Sequence, residues 1–288
     1  MSETTFNLRT LNLAAGTYSI TVKGEAEGYT DSDTSNAVNY TAAAPIPTDS
    51  ILFASETSDF TLKATNKTWD GTVEYSTDKN TWTTWDGSEI SSADKKLYLR
   101  GKNNTTFYTT KAVQFVLSAN AGCYGNINTL LDYENPPTAL AERCYQSMFS
   151  GCTSLTTAPD LPATTLADYC YNNMFSGCTS LTTAPELPAT TLAAGCYYNM
   201  FYGCTSLTTA PELPATTLKF ICYNSMFYNC KRLKISATQT GEYTTAWRIP
   251  STGEIAAEAT DWNDSMLAAT GGTFTGNPSI NTTYYMAG

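Results

Sequence analysis

The chain reads as a multidomain protein: β-sandwich modules followed by an α/β solenoid built from 26-residue repeats. Three observations predict this. Residues 1–120 carry short apolar/polar alternations with period two, separated by turn residues at strand-like intervals. Beyond residue 140 a near-verbatim unit returns at steps of 26 residues. The 288 residues also exceed what one core usually holds, so two or three domains are expected.

Residues 1–43 come first. Strands are expected at 6–13, 17–23 and 35–41, with a turn at Ala15-Gly16 and a loop at 28–33. The phrase Ala-Gly-Thr-Tyr-Ser-Ile-Thr-Val, with the later Gly-Tyr, Ser-Asn-Ala-Val and Tyr-Thr, resembles the last strands of an immunoglobulin-like or fibronectin-type module. Such a sandwich needs about seven strands, and only about three fit here. The segment is therefore expected to complete its sheet with a virion or cell-surface protein, or with another copy, in an oligomer or larger assembly. Residues 42–48, with Pro45 and Pro47, read as a short stiffened linker.

Residues 49–120 hold six strand candidates, around Ile51-Leu52-Phe53, Phe60-Thr61-Leu62-Lys63, Val73-Glu74-Tyr75-Ser76, Thr81 to Trp85, Lys96 to Arg100 and Ala112 to Leu117. Their spacing predicts a small β-sandwich. Thr77-Asp78-Lys79-Asn80 is a hairpin turn, expected to bring Tyr75 and Trp82 together across it. This hairpin looks like the Asp-box of sialidase propellers. It lacks the glycine and one residue, and it reads as structural.

The repeat occupies residues 121–235. Cys144-Tyr145-Gln146-Ser147-Met148-Phe149-Ser150-Gly151-Cys152 returns at Cys170, Cys196 and Cys222. The connecting run from Thr153 to Leu166 returns at 179–192 and 205–218. The period lies in the leucine-rich-repeat range, which makes the expected fold an α/β leucine-rich-repeat solenoid. Cys, Met and Phe four and one apart suit the inner face of a helix. Ser154 to Ala158 is the expected strand, ended by Pro159 and Pro162. Thr164 and Thr165 lie near the start of the next helix, as caps. Stacking predicts ladders of like residues: Cys144/Cys170/Cys196/Cys222, Met148/Met174/Met200/Met226, Phe149/Phe175/Phe201/Phe227, Cys152/Cys178/Cys204/Cys230 and Leu155/Leu181/Leu207/Leu233. Residues 236–288 are expected to cap the open end, with Trp247, Trp262, Met266 and Phe274 covering the last rung. Residues 123–140 look like a degenerate first repeat or an N-terminal cap.

The pattern Cys-Tyr-x-x-Met-Phe-x-x-Cys-x-x-Leu resembles the BspA-like leucine-rich repeats, over about residues 121–235. The sandwich before it is similar to the domain that often precedes such repeats in surface proteins of gut bacteria and their phages. The resemblance implies a non-catalytic role in adhesion or host-surface recognition. The period is longer than the family's usual one, through an added Pro-rich turn.

Composition removes several chemistries. Without histidine there is no His-based triad, general base or metal ligand. The net charge of −10 repels nucleic acid and anionic membranes. Charged residues make up only 15%, the difference being filled by Thr, Ser, Asn, Ala and Tyr, as in many extracellular β-rich proteins. No apolar window is long enough for a spanning helix. Met1-Ser2-Glu3-Thr4-Thr5 lacks the features of a secretory signal, which suggests a piece of a longer exported protein or a phage virion protein. No phosphate loop, nucleophile elbow or metal motif appears, so no catalytic residue, cofactor or metal is expected. The nine cysteines suit free buried thiols, with disulfides as the open alternative. Zinc lacks its usual ligand spacing.

The candidate ligand contacts are the outward strand residues Thr156, Thr157, Thr182, Thr183, Thr208 and Thr209. A regular threonine grid suits a periodic ligand such as a glycan. Asp160, Glu186 and Glu212 share one repeat position and form a like-charged column suited to a cation or a basic ligand. Tyr145, Tyr171, Tyr197 and Tyr223, with Tyr198, Tyr202 and Tyr228, either present a sugar-stacking face or pack half-buried. The expected protein is a surface-displayed recognition or structural component outside the cell: a phage fibre or decoration subunit that meets a host glycan or protein. An adhesin fragment from a bacterial surface is the alternative, and an accessory domain of a glycan-processing enzyme a distant one.

Overall fold

The computed structural model describes strands 16–20 and 38–42, residues 46–67 and 69–249, strand 254–255 and residues 260–287. The chain forms two compact units, Met1–Ile46 and Pro47–Gly288. In the first, β1 (Gly16–Ile20) and β2 (Val38–Ala42) pair antiparallel, from Gly16 opposite Ala42 to Ile20 opposite Val38. The strand expected at 6–13 and the loop at 28–33 lie outside the described residues.

The second unit begins with the six strands that the alternation predicts and one that it does not. They are β3 (Ile51–Ala54), β4 (Thr61–Thr65), β5 (Thr72–Ser76), β6 (Thr83–Thr84), the unpredicted β7 (Ile90–Ser91), β8 (Lys96–Lys102) and β9 (Gln114–Leu117). Two more follow, β10 (Ala121–Tyr124) and β11 (Leu155–Thr157). One sheet runs β11-β10-β3-β8-β5-β6 and a second runs β7-β4-β9. β8 shows why they form: its residues alternate buried and half-buried along its whole length. Phe53 and Phe115, from different sheets, meet edge-on with ring centroids 6.2 Å apart. In the hairpin Tyr75 pairs with Thr83, and Trp82 instead lies over the Arg100 guanidinium at 4.0 Å, with Tyr133 on the same group at 4.1 Å.

The large sheet leads directly into the repeat, because β10 pairs antiparallel with β3 and parallel with β11. One buried core then continues from Ile51 to Met286. We number the rungs one (141–166), two (167–192) and three (193–218), with rung four starting at 219.

The α/β leucine-rich-repeat solenoid is not what forms. Among the described residues there is no α-helix, only a single 3-10 turn at Ile127–Leu130, and the regular structure is otherwise β. The segment expected as a helix is a run of turns with a period of four. Arg143, Ser147 and Gly151 have φ of 56°, 60° and 73°, and every later rung repeats left-handed residues at the same places. A left-handed residue cannot continue a right-handed helix. The amide groups alternate accordingly. Gln146, Met148, Ser150 and Cys152 donate to the carbonyl three residues back. Tyr145, Ser147, Phe149 and Gly151 donate instead to Cys170, Asn172, Met174 and Ser176 of the next rung, at 2.7–2.9 Å. Half of the hydrogen bonds are turn-like and half are sheet-like.

The strand expected in every copy is also reduced. It is regular only as β11. Rungs two and three keep one parallel bridge there, Thr183 to Thr209. Thr165, expected to cap a helix, instead joins a second parallel ladder that runs Ala139–Thr165–Thr191–Thr217. β12 (Thr217–Leu218) carries this ladder on to β15 (Glu254–Ile255).

The expected phenylalanine ladder forms, with a tyrosine ladder beside it that the repeat reading did not include. Tyr145, Tyr171, Tyr197 and Tyr223 stack with centroids 5.8–6.0 Å apart, and Phe149, Phe175, Phe201 and Phe227 at 5.5–5.6 Å. Each pair contributes about 0.5–1.5 kcal/mol beyond its burial. The sandwich supplies the first member of both columns. Phe107 stacks on Tyr145 and Phe115 meets Phe149 edge-on, while their amides donate to Cys144 and Met148. At the far end Trp262 and Trp247 close the columns edge-on against Tyr223 and Phe227.

A fifth rung is present that the repeat pattern does not reveal. The carbonyls of Thr260, Trp262, Asp264, Met266 and Ala268 accept from Ile221, Tyr223, Ser225, Phe227 and Asn229. Asp261, Ser265 and Ala269 repeat the left-handed positions. Met266 thus stands over Met226, a step of 40 residues (266 − 226). The longer step accommodates β14 (Tyr243–Ile249), which joins β16 (Thr282–Ala287) and β13 (Ile235–Ser236) in the order β13-β16-β14. Ser265, whose counterparts donate to a following rung, donates to Asn277 Oδ1 at 2.9 Å.

Two sets of substitutions test this architecture. The Tyr145 hydroxyl lies 3.2 Å from the Ile127 carbonyl and 3.1 Å from Asn128 Oδ1, whereas the buried Tyr171 hydroxyl has no partner. Tyr145→Phe is expected to destabilise the protein by about 1–2 kcal/mol and Tyr171→Phe to be neutral or stabilising, measured by urea unfolding. Equal losses would contradict the assignment. Gly203 has φ +71°, and a Cβ there would meet only the Gly177 backbone at 3.9 Å; Asn229 holds the equivalent place at φ 62°. Gly203→Asn should therefore cost under about 1 kcal/mol and Gly203→Val about 2 kcal/mol or more. A fully tolerated valine would rule out the left-handed turn.

Candidate ligand-binding face

Leu155, Leu161, Ala163 and Leu166, with their copies, point into the core. The residues between them turn outward on the side of each rung away from the turn run. Thr182, Thr183, Thr208 and Thr209 are exposed, whereas Thr156 and Thr157 on rung one are half-buried in β11. Asp160, Glu186 and Glu212 are exposed on successive rungs. Seven of the nine predicted contacts are thus exposed, and Thr183 and Thr209 lie on neighbouring rungs as a parallel bridge.

Their chemistry is one-sided. The Thr208 amide and hydroxyl both donate to the Thr182 carbonyl, at 3.0 and 3.2 Å. The same pattern recurs in a second threonine row that the sequence reading assigned to helix caps: Thr216 donates through amide and hydroxyl to the Thr190 carbonyl, at 2.7 and 3.2 Å. A hydroxyl whose proton is committed to the backbone offers a ligand its lone pairs. With the carboxylates between the rows, the face is rich in acceptors and negative. It suits a ligand that donates hydrogen bonds. Partial burial, and then the charge of Glu186, raise the Asp160 carboxyl above the usual range. Among the described residues no group of His, Cys, Asp or Glu is arranged to hold a metal ion.

The tyrosines divide. Tyr145, Tyr171, Tyr197 and Tyr223 are fully buried, so they present no face to a sugar. Tyr198 and Tyr228 are half-buried and Tyr202 is exposed, on the turn side of the rungs. Phe220, which the sequence reading did not single out, is exposed there too.

All nine cysteines are free and buried. The thiols of Cys178, Cys204 and Cys230 each donate to a phenylalanine carbonyl of the preceding rung at 3.1 Å. Burial pushes the thiols of Cys170, Cys222 and Cys230 up to about 12. Below the ordinary thiol range both folded and unfolded chains keep these protons. Above it only the unfolded chain releases them, so stability falls as pH rises from about 9 towards 12, by roughly 1.4 kcal/mol per pH unit for each such thiol. The urea midpoint is expected to drop steadily from pH 8.5 to 10.5, with a shallower slope in a Cys170→Ala/Cys222→Ala variant. A flat profile would show that the thiols are not buried.

No helix among the described residues is long and apolar enough to cross a membrane. No protein-family model, curated protein or solved structure matches the chain.

Proposed function

We propose that this is a non-catalytic recognition and structural protein, displayed outside the cell on a phage particle or a bacterial surface, that binds a host-surface glycan or protein. One observation carries this reading. A single core holds exposed threonines and carboxylates at fixed intervals, with the ring columns within it spaced 5.5–6.0 Å from rung to rung. Side chains held rigid before a ligand arrives lose little entropy on binding it. The contact residues are Thr182, Thr183, Thr208 and Thr209, flanked by Asp160, Glu186 and Glu212, with Thr156 and Thr157 at the margin. The fixed spacing favours a ligand that is itself periodic, and the acceptor-rich surface favours one bearing hydroxyl or amide donors.

The test is titration of the protein on a printed glycan array, beside a variant with Thr182, Thr183, Thr208 and Thr209 all changed to Ala. The expected result is selective binding by the parent protein and at least a tenfold weaker response from the variant. Equal binding by both would remove the threonine face from the recognition site.

A further inference from the structure

Rungs two and three differ at four of their 26 positions: Asp168/Ala194, Tyr169/Gly195, Asn172/Tyr198 and Ser176/Tyr202. All four lie in the turn run, and the threonine and acid face is identical in both rungs. The forward hydrogen bonds fix how these residues line up. Gly151 donates to the Ser176 carbonyl, Gly177 to Tyr202 and Gly203 to Tyr228, so Ser150, Ser176, Tyr202 and Tyr228 form one outward row. Asn172 and Tyr198 occupy a parallel row, reached from Ser147 and Asn173.

The substitutions build a step. Tyr202 and Tyr228 stack with centroids 4.8 Å apart and planes within 4°. One face of Tyr202 is thereby covered. Its other face looks along the row towards Ser176 and Ser150, and Tyr202 is 39% exposed. The floor beneath carries no side chains, since Gly151, Gly177 and Gly203 follow the row on successive rungs. A free aromatic face beside hydroxyls matches a pyranose, which has an apolar C–H face and hydroxyls at its rim.

We infer that the step between rungs two and three is a saccharide-binding subsite, in which Tyr202 stacks on one neutral pyranose and Ser150 and Ser176 take its hydroxyls. The chain's net charge of −10 selects against sialylated, sulfated or uronic acid units. The inference rests on the recognition reading above but places the sugar on a different face from the threonines.

The same array, probed with the full chain, separates the two. Tyr202→Ala removes the platform, and Ser176→Tyr covers it with a residue that rung three already accommodates at that position. Both should weaken binding to neutral hexose or N-acetylhexosamine termini at least tenfold, whereas Tyr202→Phe stays within about threefold. Unaltered thermal midpoints establish that the variants are folded. Binding lost only in the threonine variant would overturn the step and leave recognition standing. Binding confined to anionic glycans, or insensitive to both step variants, would also overturn it. Absence of any glycan binding by the parent protein would overturn the step and leave a protein as the ligand of the recognition reading.

Discussion

The structure depends on an alternation of backbone amides along the turn run. Every second N–H closes a local turn, and the ones between reach the next rung. Each fourth residue is left-handed; its own amide reaches the next rung and the amide after it closes a local turn. Those conformations cost roughly 1–2 kcal/mol each for residues such as Arg143, Tyr169 and Ile221. They persist because each rung over-determines its neighbour. The forward bonds admit one register, and in that register tyrosine falls on tyrosine, phenylalanine on phenylalanine and thiol beneath carbonyl. The columns are the consequence of the backbone pattern, and their burial in turn stabilises it.

The same alternation explains why the sequence misled on helices. Buried positions at Cys144, Tyr145, Met148, Phe149 and Cys152 follow a period of four, and over two turns this is nearly the same as 3.6. The signal that distinguishes them is the residue type at the outward places. Ser147, Asn173, Asn199 and Gly151, Gly177, Gly203 favour left-handed or turn conformations, and they recur every four residues. The inward residues were legible because the copies are near-verbatim, and the sandwich strands because they alternate. The fifth rung was not. Its step is 40 residues, and only Ser265 and Met266 keep the repeat's identity in place. Nor does any local pattern disclose that Phe107 and Phe115 head the aromatic columns, since that depends on how two sheets end against rung one.

The two long faces of the rungs carry different kinds of information. On one, threonines and carboxylates repeat without change in rungs two and three, and much of their hydrogen-bonding capacity is turned back on the backbone. On the other, the outward side chains differ from rung to rung while the residues beneath them stay constant. A surface that varies over an unchanging core can alter its contacts without altering stability, because its side chains make few of the buried contacts that set the register. The exposed tyrosines belong to this second face. Sequence reading placed the ligand contacts on the first, where regularity is most visible.

Asn277 gives the last rung a property that the others lack. A row of unpaired amides at the end of a parallel stack is a template on which another chain can add itself. By occupying the Ser265 amide with a side-chain oxygen, Asn277 removes one of those donors without offering a new backbone edge in its place. At the opposite end the sandwich occupies the carbonyls of rung one through Phe107 and Phe115. The two ends of the stack are thus occupied differently, by a side chain at the last rung and by strand-bearing backbone at the first.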